Sequence, residues 1–308
     1  NLSKMFYGCA ELTSVNISGS VFNNNNISSM FEGCASLTNN SVNFASVEFK
    51  NVTNMQGLFK GCTGLTSIKI ENLSINSTAT SYNTVTKDMF YGCDNLKTID
   101  FPAWSANNRD QFVYMVSSAP AIETLKVPDW EIQNLNMASK AFTCMKKSTL
   151  KTVDMSNWDF KDSTTLHQAF YECSNLESLD LSGWKISKVT TLEDTFHGCT
   201  NLRTLDLTGW GEGDNLSSVT NMTKTFRGLQ YLTKITMGSD EIWDLKNVTI
   251  MRTTFENCES INQDFGFIHL SNKLTFISWT FKNCKNITTL DLSNWDTTSV
   301  RGDMQDTF

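Results

Sequence analysis

Proline and histidine are both scarce in this sequence, with three of each among 308 residues. No apolar run comes near the ~18 residues that a membrane-spanning helix needs, so we expect no direct membrane insertion. A basic excess is missing too, because the net charge is −7. Binding to a phosphate backbone requires a basic face, and we therefore expect no nucleic-acid partner.

A phenylalanine motif, in contrast, recurs through the whole sequence. Segment 5–9 reads Met-Phe-Tyr-Gly-Cys, and close copies stand at 30–34, 58–62 and 89–93. The recurring position is occupied by Phe6, Phe31, Phe59, Phe90, Val116, Phe142, Phe170, Phe196, Phe226, Phe255, Phe281 and Phe308, at intervals of 25 to 31 residues. Such a period is typical of stacked repeats. We interpret the sequence as about twelve units of about 27 residues each.

One unit, 202–226, shows the local structure that we expect. Its first residues, Leu-Arg-Thr-Leu-Asp-Leu-Thr, alternate apolar and polar side chains as a short half-buried strand does. After a turn and a loop insertion, the unit reaches its phenylalanine motif. Met55, Phe59 and Cys62 of another unit have the i, i+4, i+7 spacing of one helical face. The pattern therefore predicts a strand, a turn and a short helix or 3₁₀ turn in each unit.

These elements cannot bury an apolar face alone, whereas stacked copies can. We therefore predict an α/β solenoid with a parallel β-sheet on the concave side and short helices on the convex side. One continuous core is expected, which makes 1–308 a single domain. Because the sequence starts at Asn1 without Met, and both ends fall within a repeat unit, we expect a fragment or a processed form.

Three phrases carry a resemblance to a known family: Met-Phe-x-Gly-Cys, Leu-x-x-Leu-Asp-Leu-Ser-x-Trp and Val-Thr-x-Met. The second phrase is clearest at 176–184, 202–210 and 287–295. The sequence resembles the BspA-type leucine-rich repeat surface proteins over essentially its whole length. The resemblance implies a leucine-rich-repeat-like stack in a secreted or cell-envelope protein, often an adhesin. One departure is the Trp that stands where ordinary leucine-rich repeats place Asn or Cys.

Eight of the nine cysteines occupy one repeat position, three residues after the phenylalanine: Cys9, Cys34, Cys62, Cys93, Cys173, Cys199, Cys258 and Cys284. Other units place Ala119, Met145 and Leu229 there, which marks an apolar slot that a free thiol fills well. We predict a buried ladder of thiols beside the ladder of phenylalanines. Disulfides between adjacent units and a metal site are the alternatives, and stacked identical side chains point the wrong way for a disulfide.

The polar position between the two inward positions of each strand should face outward from the sheet. It includes Asp100, Lys126, Asp154, Asp180, Asp206 and Asp291. Asp154, Asp180 and Asp206 would lie about 5 Å apart in successive strands, where like charges are unfavourable. Hydrogen bonds from Ser or Thr, bound cations or a partner would offset this repulsion. We predict that the six residues contribute to a ligand-binding face on the concave side, and simple solubilising polarity is the alternative.

Two further patterns suggest weaker binding hypotheses. A row of tryptophans could form an aromatic platform for glycans, but we interpret it as filling a corner of the core: Trp104, Trp130, Trp158, Trp184, Trp210 and Trp295. Arg301, Gly302 and Asp303 spell the tripeptide that integrins recognise, on a plausible local loop. Tripeptides also recur by chance, and chance recurrence is the alternative to an integrin role.

Motifs of common catalytic sites are absent: there is no HExxH, no GxSxG and no phosphate loop. The three histidines fall at different repeat positions and do not converge. We therefore predict a non-enzymatic protein without catalytic residues, metal or cofactor. Its expected function is recognition or adhesion at the cell surface or after secretion. The partner would be a protein or glycan on a host or neighbouring cell, or another subunit of a surface assembly. A structural spacer and a carbohydrate-binding module attached to a larger protein are the alternatives.

Overall fold

The computed structural model describes residues 1–23, 26–39, 42–43, 48–70, 72–75, 85–101, 104–106, 119–129, 131–132, 142, 149–160, 162–239, 241–301, 304 and 306–308. The chain divides into two compact units. Unit 1 comprises Asn1–Asn134 and Ser148–Met155, and unit 2 comprises Leu135–Lys147 and Ser156–Phe308. Each unit is a parallel β-solenoid, and the prediction of a single domain over 1–308 stays a prediction.

The described residues form sixteen short strands. They are β1 (Val15–Asn16), β2 (Val21–Phe22), β3 (Val42–Asn43), β4 (Glu48–Val52), β5 (Ser67–Lys69), β6 (Asn72–Ile75), β7 (Thr98–Asp100), β8 (Trp104–Ala106), β9 (Thr124–Lys126), β10 (Glu131–Ile132), β11 (Thr152–Asp154), β12 (Ser178–Asp180), β13 (Thr204–Asp206), β14 (Ile235–Thr236), β15 (Trp243–Leu245) and β16 (Ile268–Leu270).

Unit 1 stacks its strands in more than one parallel ladder. Strands β5, β7, β9 and β11 pair side by side, and their central residues Ile68, Ile99, Leu125 and Val153 lie in register. A second parallel ladder joins β2, β4, β6, β8 and β10, and β1 pairs with β3. The prediction of a single sheet is therefore wrong for unit 1. The residues that follow the first strand of a repeat also pair with their counterparts in the neighbouring turns and form further parallel ladders.

Unit 2 also pairs its strands in parallel, and each of them has two or three residues. Strand β13 pairs in parallel with β12 and with β14, and β15 pairs in parallel with β16. Single parallel bridges stack the segment that precedes each phenylalanine motif. They link Thr165 to Thr191, Thr191 to Asn221, Asn221 to Ile250 and Ile250 to Phe276. In the described part of unit 2, consecutive turns are thus joined by backbone pairing at more than one place.

The predicted short helices are wrong for the part of the chain that the structure describes, where the phenylalanine motifs form tight turns. The reason lies in the backbone hydrogen bonds. The N–H of Phe31 donates to the carbonyl of Leu58 in the next turn, and the N–H of Gly33 donates to Lys60. An α-helix needs those N–H groups for carbonyls four residues earlier in its own segment. Ser29, with a φ of 51°, also breaks the helical backbone.

The expected count of about twelve turns is not supported either. The chain divides into two units, and the position of Val116 lies outside the described residues, as does that of Met145.

Within the described residues, no helix is both long and apolar enough to cross a bilayer.

Stacked aromatic rings form the core of each unit. In unit 1 the ring centroids of Phe6, Phe31, Phe59 and Phe90 follow one another at 5.3, 5.6 and 5.9 Å. In unit 2 the stack runs Phe142, Phe170, Phe196, Phe226, Phe255, Phe281 and Phe308, at 4.8 to 6.0 Å. Each stacked pair contributes about 1 kcal/mol beyond the apolar area that it buries. The aromatic stack therefore holds the turns in register.

Candidate interaction face

The outward side of β5, β7, β9 and β11 in unit 1 carries charges of both signs. The third residues of these strands are Lys69, Asp100, Lys126 and Asp154, and neighbouring strands place them side by side in register. Both lysines are exposed and both aspartates are half-buried, while the central residue of every strand is buried. Adjacent strands lie about 4.8 Å apart. We call these four residues the strand-end row, and its charges alternate along the solenoid.

A second charged row lies at the beginning of the same strands. Glu123, just before β9, sits between Lys97 and Lys151, which precede β7 and β11. Its carboxylate oxygens are 3.0 Å from the Lys97 ammonium and 3.5 Å from that of Lys151. The hydrogen bond from Lys97, together with the charge of Lys151, holds the pKa of Glu123 below its ordinary value. We call Lys97, Glu123 and Lys151 the strand-start row; its charges alternate as well.

The predicted site residues of unit 2 have a different environment. Asp180 of β12 and Asp206 of β13 stand opposite each other in register. Each carboxylate accepts a hydrogen bond from the backbone N–H two residues later, at 2.9 Å in both cases. Asp291 accepts the same bond from Ser293 at 2.8 Å, which lowers the pKa of Asp291, although this residue lies outside the strands. These bonds close Asx turns, so each of the three carboxylates stabilises the turn that follows it.

The thiols of the cysteine ladder make hydrogen bonds that sequence reasoning missed. Seven of the eight donate to the carbonyl of the phenylalanine one turn earlier: Cys34 to Phe6, Cys62 to Phe31, Cys93 to Phe59, Cys173 to Phe142, Cys199 to Phe170, Cys258 to Phe226 and Cys284 to Phe255, with sulfur–oxygen distances of 2.9 to 3.7 Å. The slot is thus apolar and also supplies a weak donor. Eight cysteines among the described residues carry free thiols.

Burial suppresses the reactivity of most of these thiols. It raises the pKa of Cys93 to about 12 and also raises the pKa of Cys62 and Cys258. Cys9 is exposed, and Cys284 is half-buried with a pKa that burial raises to about 12. Since the thiolate is the reactive form, we expect Cys62, Cys93 and Cys258 to react slowly in the folded protein.

We expect iodoacetamide at pH 8 to separate the two kinds of thiol in the folded protein. Cys9 should be alkylated roughly 100-fold faster than Cys62, Cys93 or Cys258, because these thiols are buried and protonated. Mass spectrometry of proteolytic peptides measures each site separately. In 8 M urea, as a control, the four rates should converge. Equal rates in the folded protein would contradict the buried ladder.

The tryptophan row lies inside the core wherever the structure describes its side chains. Trp158, Trp184 and Trp210 are buried, and the indole N–H of Trp210 donates to the carbonyl of Leu181 at 3.1 Å. Trp295 is 8% exposed, so these four rings lie inside the core and cannot form a glycan platform. Trp130 and the side chain of Trp104 lie outside the described residues. Of the integrin-type tripeptide, Arg301 is exposed, whereas Gly302 and Asp303 also lie outside the described residues.

Two polar features, a row of buried threonines and the half-buried Glu241, were not predicted. In unit 2 a threonine precedes the phenylalanine in five turns: Thr195, Thr225, Thr254, Thr280 and Thr307. The Thr254 hydroxyl, for example, lies 2.9 Å from the carbonyl of Met222 and 2.7 Å from that of Met251, which share its proton. The recurring Thr-Phe pair was the available signal. Glu241 was not foreseeable: its carboxylate accepts N–H bonds from Gly209 at 3.0 Å, Gly238 at 2.8 Å and Gly211.

No cluster of three or more His, Cys, Asp or Glu side chains is placed to hold a metal ion in the described part of the chain. What the structure offers instead is a stack of hydrogen-bonded turns in each unit, with an outward polar face in unit 1. Strands that contribute leucine and isoleucine to a buried core, joined by turns of similar length, define a leucine-rich-repeat-like protein.

The chain belongs to the family described as "Mycoplasma protein of unknown function, DUF285", whose model matches residues 1–125, 116–237 and 212–308. A solved structure of a TLR13–ssRNA13 complex is similar over 89% of this chain and 34% of that chain, with 17% identity and a TM-score of 0.51. The chain therefore spans about a third of that relative's length, and the likeness concerns the fold. A leucine-rich repeat protein from Bacteroides ovatus matches at 16% identity over 94% of this chain and 91% of that chain, with a TM-score of 0.23. No curated protein matches the chain.

Proposed function

We propose that the chain is a non-enzymatic recognition module of the BspA type, secreted or displayed at the cell surface. It binds a protein or a glycan through the outward face of β5, β7, β9 and β11. The leucine-rich-repeat-like fold supports this proposal, because repeat solenoids present extended surfaces on a rigid frame. The family and the fold support an interaction module.

The observation that carries the proposal is the pair of charged rows in unit 1. The side chains of Lys97 and Lys151 are 63% and 52% exposed, and these residues directly precede β7 and β11, whose central residues are buried. Charged side chains on an outward sheet face can reach a partner without disturbing the core. A face with both lysines and carboxylates favours a partner that presents complementary charges of both signs.

A structural spacer is the second candidate function, and the Asx turns of unit 2 favour a spacer role for that unit. Asp180 and Asp206 are explained by the backbone N–H groups that they accept, so they need no ligand. A carbohydrate-binding module has less support, because Trp158, Trp184 and Trp210 are buried.

The proposal is tested by comparing two double variants with unchanged net charge. Asp100→Ser with Lys126→Ser removes the centre of the strand-end row. The matched control, Asp162→Ser with Lys188→Ser, removes an exposed pair in unit 2 whose charged atoms are 3.0 Å apart. Binding to a panel of host-matrix proteins and to a glycan array is then measured. We expect the first double variant to bind at least about tenfold more weakly, a typical cost for central interface residues. The control should bind like the wild type.

Equal binding by both variants would show that the face is not the binding site. Absence of binding to every member of both panels would favour the spacer.

A further inference from the structure

The charge order on the unit 1 face is complementary to itself when it is reversed, a property that a merely solubilising surface does not need. Along the solenoid, the strand-end row reads Lys69, Asp100, Lys126, Asp154, or plus, minus, plus, minus. Read backwards, it becomes minus, plus, minus, plus. A second copy of the row in reversed order therefore opposes every charge with the opposite sign.

A twofold axis in the plane of the face produces this reversal. The axis runs along the strand direction, midway between β7 and β9, and brings two copies face to face. Lys69 then opposes Asp154 of the second copy, and Asp100 opposes Lys126. Such an isologous arrangement is the commonest symmetry of homodimers.

The strand-start row obeys the same axis. Reversal places Lys97 of one copy against Glu123 of the other, and Lys151 against the uncharged Thr66, which precedes β5. The hydroxyl row Ser67, Thr98, Thr124 and Thr152 also maps onto itself, and hydroxyls can act as donor or acceptor. Both charged rows are therefore compatible with one axis.

The register of such a contact is specified by electrostatics. A slip of one strand, about 4.8 Å, places lysine against lysine and aspartate against aspartate. Like charges placed together across an interface are strongly unfavourable. The row of unit 2 lacks this property, because Asp180 and Asp206 carry the same sign on neighbouring strands.

We propose that the outward face of β5, β7, β9 and β11 binds a second copy of this chain, as a twofold-symmetric pair held by the two charged rows. The inference rests on the proposed function, because it uses the same face and names a copy of the chain as the partner. The contact is polar and exposed, so it is weakened by salt, whose screening length falls from about 30 Å at 0.01 M to about 10 Å at 0.1 M.

Two single variants test the arrangement by sedimentation velocity at low salt. Lys126→Glu alone places the introduced glutamate of each copy against Asp100 of the other, and Asp100→Lys alone places two lysines together. We expect each variant to self-associate at least about tenfold more weakly than the wild type. An equal mixture should form mixed pairs with near wild-type affinity. The Lys126→Glu variant carries negative charges at positions 100 and 126, and the Asp100→Lys variant carries positive charges at both, so opposite charges meet across the mixed pair. Recovery in the mixture also shows that both variants are folded.

The matched control uses Lys188→Glu and Asp162→Lys, which change the net charge equally at an exposed pair of unit 2. Each should self-associate as the wild type does. A wild type that remains monomeric at low salt, or a mixture that fails to recover, would overturn the inference. If a matrix protein or glycan still binds through the face in that case, the proposed function stands while the homotypic partner is excluded.

Discussion

Replacing Phe196 by alanine should lower the free energy of unfolding by about 3–5 kcal/mol, the range for a phenylalanine in a packed core. The ring is fully buried, and its centroid lies 5.7 Å from that of Phe170 and 5.6 Å from that of Phe226. Trp210 adds a third aromatic contact at 6.3 Å. The substitution opens a cavity between two turns that are also joined by backbone bonds, so the surroundings cannot collapse onto it.

Urea unfolding followed by tryptophan fluorescence measures this loss, since Trp184 and Trp210 are buried in the same unit. Ile242→Ala is the control, because that side chain is 46% exposed and leaves no cavity. It should change the free energy by less than about 0.5 kcal/mol. A loss below about 1 kcal/mol for Phe196→Ala would contradict the stacked core.

Replacing Gly64 by alanine should be nearly as damaging, although it adds only one methyl group. A Cβ atom at this position would lie 2.5 Å from the carbonyl oxygen of Leu37 and 2.7 Å from that of Ala35. Both atoms belong to the backbone of the preceding turn and cannot rotate away. The N–H of Gly64 also donates to Ala35 at 3.0 Å, so relief of the clash would break a bond between turns. We expect a loss of about 3 kcal/mol from this overpacking.

Gly8→Ala separates close packing from backbone conformation. Gly8 has a φ of +73°, yet its added Cβ would meet no atom within 4 Å. The expected cost there is about 1 kcal/mol, from conformation alone. Urea midpoints followed by circular dichroism measure both variants. Equal losses would show that the approach of consecutive turns at Gly64 is not as close as described.

Some of the site could be read from the sequence and some could not. The repeat identifies Lys69, Asp100, Lys126 and Asp154 as outward positions, since they follow a buried residue in the same phrase. It also directed attention to Asp154, Asp180 and Asp206 as a single acidic row. The intervals between units vary from 25 to 31 residues, so only the strand register shows which side chains stand opposite each other. Likewise, the i, i+4, i+7 spacing of Met55, Phe59 and Cys62 is shared by a helix and by the observed tight turns, which also bury all three.

The sequence by itself determined that the chain is a stack of repeats, because the recurring spacing of phenylalanine, cysteine and strand leucine is visible in the sequence without any knowledge of tertiary contacts. For the same reason it identified most of the phenylalanines and cysteines that enter the core, although Cys9 and Phe308 at the two ends are exposed. Only the tertiary structure decided that the motifs are turns rather than helices, since their N–H groups find carbonyls in the next turn, about 27 residues away in sequence. It also decided that thiols donate to phenylalanine carbonyls and that lysine and aspartate alternate across strands. Both depend on register between turns, which is set by packing and hydrogen bonds over that distance.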